Sequence, residues 1–359
     1  MIDHALMYNN IIIRFTYESL GWVSAAEGFV FLSGLTAGIV YTRKATERGA
    51  KFILGLAVKR ARTIYLKHLA LFLFISAIIL FVPLLGDYWA SRYPPLLRQP
   101  LLGIVMGALL VYQPFYLDIL PMYVVFILFV PFVIRWFQKG YAGYLLLGSL
   151  TLYTLSSANE LLSFFTIPFQ DSELNTRLFN LPCWQILFVL GLFAGFIFST
   201  GKSKYWQVNK HLFYISLASS VLFFICRSVH MKIPYINMDY ATDKANLGPL
   251  RLLNFIALCY SVIFISSKRG AWFTSRPICY LGKYSLEVFS FHIVILILLV
   301  PIKEQLNSIY SMQITSKFYF YPLDTLFVFF FMIPLLFLAP TLFGKNKKPA
   351  LPPVLSKPL

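Results

Sequence analysis

The amino-acid sequence predicts an all-α, polytopic membrane bundle of about nine transmembrane helices, and three observations carry that prediction. The first is composition: of 359 residues, 58% are apolar, 18% are aromatic and only 13% are charged. A soluble domain carries roughly 25% charged residues, so this chain lacks the charge to coat a water-facing surface of its size. The second is repetition. Apolar runs of about 18 residues or more recur along the whole length, each sufficient to cross a bilayer as a helix. The third is the placement of charge. A net charge of +17 would suit nucleic acid, but the Lys and Arg residues stand in short clusters between apolar runs. Anchoring at one membrane face explains that pattern better, and a nucleic-acid partner is set aside.

In chain order the apolar runs fall at 25–42, 64–85, 119–137, 141–157, 183–200, 211–228, 249–268, 279–300 and 321–343. A further run, 101–117, is short, holds Gln113 and Pro114, and leads into Asp118; it reads as re-entrant or interfacial. Of the 31 Lys and Arg residues, 20 fall on one side when alternate loops are compared, and ten on the other. The larger group includes Arg43, Lys44, Arg48, Lys51, Lys59, Arg60, Arg62 and Lys67, and its side is expected to be cytoplasmic. The smaller includes Arg92 and Arg251. Most acids, among them Asp87, Glu160, Asp171, Glu173, Asp239, Asp243 and Glu304, share that second side.

This arrangement gives one transmembrane domain over 1–344 and a Pro- and Lys-rich tail, 345–359, expected to be disordered and cytoplasmic. Nine spans with a cytoplasmic C-terminus place residue 1 outside, yet MIDHALMYNN has neither the basic nor the apolar region of a signal peptide. The expectation drawn from this parity is that a first helix precedes Met1 in the native gene product. An immediate stop codon in the DNA upstream of Met1 would remove that expectation.

Soluble-enzyme signatures are absent from the sequence: no Walker loop, dinucleotide fingerprint, HExxH or GxSxG. Cys183, Cys226, Cys259 and Cys279 have no CxxC spacing, so neither a zinc site nor a disulfide framework is expected. Attention therefore moves to polar residues near the membrane. Asp3-His4 pairs a carboxylate with an imidazole, which accepts a proton from a hydroxyl near neutral pH. Ser24-Ala-Ala-Glu27 before an apolar run is a capping box; it would also set Glu27 at the outer membrane surface. Ser33-Gly34, inside the span, lets a helix or a ligand chain approach closely.

Arg60 and Arg62 serve as membrane anchors or, with His68, as a cradle for the phosphates of a donor. Asp118 caps a helix whose first turn suits Pro121, or accepts from a sugar hydroxyl. Lys283 and Glu287 are spaced to pair as i, i+4, and Ser285 shares a face with His292, a histidine at bilayer depth.

In order, AAEGFVFLSGL (25–35), TIYLKHL (63–69), DILPMYVVFILFVP (118–131), LPCWQILFVLG (181–191) and LGKYSLEVFSFH (281–292) resemble the OpgC proteins. These are glucan-modifying enzymes of the acyltransferase-3 superfamily. The resemblance implies a ten-helix O-acyltransferase of a bacterial inner membrane. Such an enzyme moves an acyl group, succinyl in the best-known members, from a cytoplasmic acyl-CoA to a periplasmic glucan. It binds no further cofactor, and its partners are donor, glucan and membrane lipid.

Asp3-His4 matches the family's Asp-His pair, making His4 the general base, with Asp3 or Glu27 orienting it. Ser33, Arg60, Arg62, His68, Asp118, Ser285 and His292 become substrate-binding candidates. The family's upstream Arg has no counterpart here. A glycan or lipid-linked sugar transporter is the alternative, although paired broken helices or inverted repeats are not visible; a non-catalytic membrane subunit is another.

Overall fold

The computed structural model describes residues 2–5, 10, 12, 16, 18, 20–157, 179–201, 208–229, 237–307, 312–313, 319–320 and 322–343. In chain order the helices are α1 (Ile2–Ala5), α2 (Ala25–Arg48), α3 (Ala50–Phe81), α4 (Pro83–Trp89), α5 (Pro94–Arg98), α6 (Pro100–Ala108), α7 (Ile119–Gln138) and α8 (Ala142–Ser157). They continue with α9 (Leu181–Ser199), α10 (Lys210–Ser228), α11 (Met238–Ala241), α12 (Pro249–Lys268), α13 (Arg276–Lys283) and α14 (Ser285–Asn307), and end in a helical run over 322–343. A two-residue antiparallel pairing, Met312–Gln313 with Tyr319–Phe320, is the only sheet among the described residues.

Eight of these helices are long and apolar enough to cross a membrane, so the chain is an all-α multi-pass membrane protein. Each of the eight coincides with a run expected from sequence. The ninth expected run coincides with α8, of which 16 residues, about 24 Å, are described. Helix α6 has nine residues, about 14 Å; it cannot span, as its re-entrant reading requires. The expected tail, 345–359, lies outside the described residues, as do Glu160, Asp171 and Glu173.

The basic segment 43–67, expected as a loop, is helical. Helix α2 runs on to Arg48, the chain turns at Gly49 with φ +79°, and α3 starts at Ala50. The reason is intrinsic: Ala, Lys and Arg are strong helix formers, so the helix continues beyond the apolar stretch. At 32 residues α3 is about 48 Å long, well beyond the hydrocarbon thickness.

The chain forms two compact units: 1–19, 73–91 and 261–359 in the first, 20–72 and 92–260 in the second. In the second, α2 and α9 make the tightest crossing. Both carry small-xxx-small pairs, Gly34/Gly38 on α2 and Gly191/Gly195 on α9. A Cβ at Gly34 would strike the Phe188 carbonyl, at Gly38 the Leu192 carbonyl, at Gly191 the Phe31 carbonyl and at Gly195 the Leu35 carbonyl. Lipid is as apolar as leucine, so close backbone packing of this kind drives association.

Helix α8 locks to α9 through reciprocal bonds. Ser149 Oγ donates to Gln185 Oε1 at 2.7 Å, and Gln185 Nε2 donates to the Ser149 carbonyl at 2.8 Å. Helix α10 is different: Leu212, Ile215, Leu222 and Phe224 stay exposed, a face suited to lipid.

In the first unit, α4 meets α14. Pro301 lies inside α14 and has no N–H, which leaves the carbonyl four residues back, at Ile297, without its helical donor. The buried Trp89 indole donates to that carbonyl at 3.1 Å. In a membrane such a bond replaces one that water cannot make.

Candidate functional site

The first unit assembles a histidine pair. Helix α1 packs on α14, and His4, exposed on α1, lies within electrostatic reach of half-buried His292. Asp3 occupies the same helical turn as His4. His292 Nδ1 stands 2.6 Å from the Phe289 carbonyl. A carbonyl only accepts, so Nδ1 carries the proton and Nε2 is the acceptor of the neutral ring. Two candidates separated by most of the sequence therefore lie within electrostatic reach of each other.

Ser285 is exposed at the first residue of α14. The helix breaks at Tyr284, and Lys283 ends α13, where its ammonium lies over the Tyr284 ring at 5.4 Å. The expected pairing with Glu287 required one continuous helix. Glu287 is instead buried in the first turn of α14.

In the second unit Glu27 is fully buried at the start of α2, and both its carboxylate oxygens are engaged. The Ser24 N–H donates to Oε2 at 2.9 Å and the Ser24 hydroxyl at 2.6 Å, while Arg251 Nη1 donates to Oε1 at 2.6 Å. Arg251 is itself 3% exposed, and its Nε donates to the Thr242 carbonyl at 3.3 Å. One turn further along α12, Asn254 Oδ1 accepts from the Trp22 N–H at 2.9 Å. Gly21, at φ +93°, is required here, because a Cβ would strike the Asn254 side chain. Arg251 and Asn254 thus grip the entry to α2 from one helix face. The capping reading of Ser24 and Glu27 holds, and Glu27 serves the ion pair as well.

The remaining candidates in this unit separate. Ser33 is half-buried, and the Tyr123 hydroxyl lies within interaction range of it without an ordinary hydrogen bond. Arg60 and Arg62 are exposed on α3, and Arg60 is within electrostatic reach of Tyr41. His68 is not beside them on an outward face. It is fully buried and stacked on Phe72 at 6.2 Å between centroids, with the Gly107 backbone within interaction range but no ordinary hydrogen bond to either ring nitrogen.

Asp118 is buried at the N-cap position of α7 within electrostatic reach of Tyr93, and its side chain makes no cap hydrogen bond, contrary to the capping reading. Burial pushes the Tyr93 phenol well above its ordinary range; Tyr112, Tyr116 and Asp118 add to the shift, and Arg92 opposes it.

Sequence reasoning counted Arg251 only as a flanking charge and passed over Asn254. The available signal was an Arg and an Asn three residues apart inside an apolar run, where an ionisable group demands a partner. With the geometry in place, one comparison bears on the chain. The family model described as OpgC protein matches residues 1–332. No curated protein and no solved structure matches.

Proposed function

Because the chain belongs to the OpgC protein family, we propose that it is a membrane O-acyltransferase that modifies a glucan. The observation carrying this reading is that α1 packs on α14 and sets the exposed His4 within electrostatic reach of His292. Two imidazoles so placed, one with a fixed tautomer, are suited to moving a proton.

In the proposed reaction a glucan hydroxyl attacks the thioester carbon of an acyl-CoA, succinyl-CoA being the first donor to test. A carbon–oxygen bond forms and the carbon–sulfur bond breaks. His4 takes the hydroxyl proton and releases it to the departing thiolate. Asp3 supports the imidazolium, and His292 and Ser285 hold the reacting groups. Most of the acceleration comes from holding the two substrates in line, and general-base help adds about 10²–10⁴-fold.

Glu27 is assigned to positioning, since Ser24 and Arg251 engage both its oxygens. The basic residues Arg60 and Arg62 are proposed to meet the donor's phosphates on the cytoplasmic side, and Ser33 to border the acyl path. The membrane is proposed to be the bacterial inner membrane, with glucan on its periplasmic side and the C-terminus in the cytoplasm. The decisive experiment compares the acyl substituents of periplasmic glucans from cells with and without the gene. Acyl esters that disappear with the gene support the proposal; identical glucans would sink it in favour of transport or a subunit role.

A further inference from the structure

The loop between α6 and α7, residues 109–118, is held in a conformation its sequence does not favour. Leu110 and Tyr116 adopt φ +62° and +71°, the left-handed region that bulky side chains avoid. Such residues persist only where the surroundings enforce them. Here they do. The Tyr65 hydroxyl donates to the Ala108 carbonyl at 3.1 Å, the Tyr93 hydroxyl to the Phe115 carbonyl at 2.8 Å, and Gln113 Nε2 to the Leu110 carbonyl at 3.1 Å. Backbone bonds from Leu117 to Pro114 and from Tyr112 to Met106 close the two turns.

The clamped loop presents a definite surface. Phe115 and Tyr116, both half-exposed, lean on one another with ring centroids 4.0 Å apart at 48°. The exposed Arg92 guanidinium lies over the Phe115 ring, 4.4 Å from its centroid. Asp118 and Tyr112 are within electrostatic reach of Tyr93, the residue that clamps the loop, and the buried Tyr112 hydroxyl has no hydrogen-bond partner.

We infer that this loop is a carbohydrate-docking platform, on which one glucose ring of the glucan acceptor stacks against Phe115 and Tyr116. A pyranose has an apolar C–H face and a rim of hydroxyls. The exposed parts of the paired rings match the face, and Arg92 N–H groups donate to the rim. Interfacial aromatic residues also occur as membrane anchors. Anchoring, however, asks for neither two left-handed bulky residues nor a guanidinium over one of the rings. The inference rests on the proposal that the acceptor is a glucan.

The test is binding of a fluorescently end-labelled linear glucan oligosaccharide to the purified full chain in lipid nanodiscs, with acyl transfer measured separately. Tyr116→Gly removes the ring and suits φ +71°, so it should melt no lower than the parent. Its glucan affinity should fall about tenfold, Phe115→Leu should behave similarly, and Arg92→Gln should lose a few-fold. Unchanged affinity in Tyr116→Gly and Phe115→Leu, or no glucan binding by the parent chain, overturns the platform. If the parent binds glucan and the variants do not, but no acyl transfer is found, the platform stands and the acyltransferase proposal falls. If transfer occurs with an unaltered acceptor KM in both ring variants, the proposal stands and the platform falls.

Discussion

The Glu27–Arg251 corner of one unit and the His4–His292 pair of the other are both built from ionisable groups in a membrane protein, and they are finished differently. At Glu27 each carboxylate oxygen has a partner, and neither side chain is more than 3% exposed. At His4 the imidazole is exposed, and His292, within its electrostatic reach, is half-buried with one nitrogen committed to its own helix. A buried ion pair holds helices in place; a solvent-facing imidazole within reach of a second one can exchange a proton. The difference teaches that a buried charge in a membrane bundle is not by itself evidence of chemistry, because a saturated one is already occupied.

Variants can break this comparison, beginning with the severest. Gly191→Leu would force a side chain into the Phe31 carbonyl, and folded protein should vanish from membranes on an immunoblot. Arg251→Leu leaves the Glu27 carboxylate buried and unpaired, a loss of about 3–5 kcal/mol. Thermal melting in detergent should drop sharply, and Glu27→Leu/Arg251→Leu should regain part of it. Acyl transfer surviving in that double variant would fix Glu27 as structural; selective loss of transfer at normal stability would return it to the chemistry.

His4→Ala should behave oppositely: membrane abundance unchanged, transfer reduced by about 10²–10⁴-fold. Retained turnover removes His4 from the mechanism. For His292→Gln a smaller loss, about tenfold, is expected in kcat, with melting nearly constant. Ser24→Ala is the mildest, costing about 1 kcal/mol of stability without altering the pH dependence of transfer.

Much of the fold could be read before any coordinates, because a bilayer-length apolar run has few alternatives to a helix. The charged residues were harder. Arg251 looked like a loop charge, since it sits near the start of its run and its partner lies 224 positions away. His68 looked like a companion of Arg60 and Arg62 by helical spacing, yet α3 turns it into the interior. Lys283 and Glu287 matched a helical repeat that the break at Tyr284 interrupts. Both Gly-x-x-x-Gly pairs were present in the sequence, but only their mutual facing shows that they form one contact.

By itself the sequence determined that this chain lives in a membrane, where its helices run, and which family it resembles, because bilayer thickness and backbone hydrogen bonding leave little choice. The tertiary structure alone decided which polar groups are buried with partners and which face outward. Glu27 and Arg251 meet, and His4 comes within electrostatic reach of His292, only through packing of helices far apart in the chain, and no local pattern encodes such distances.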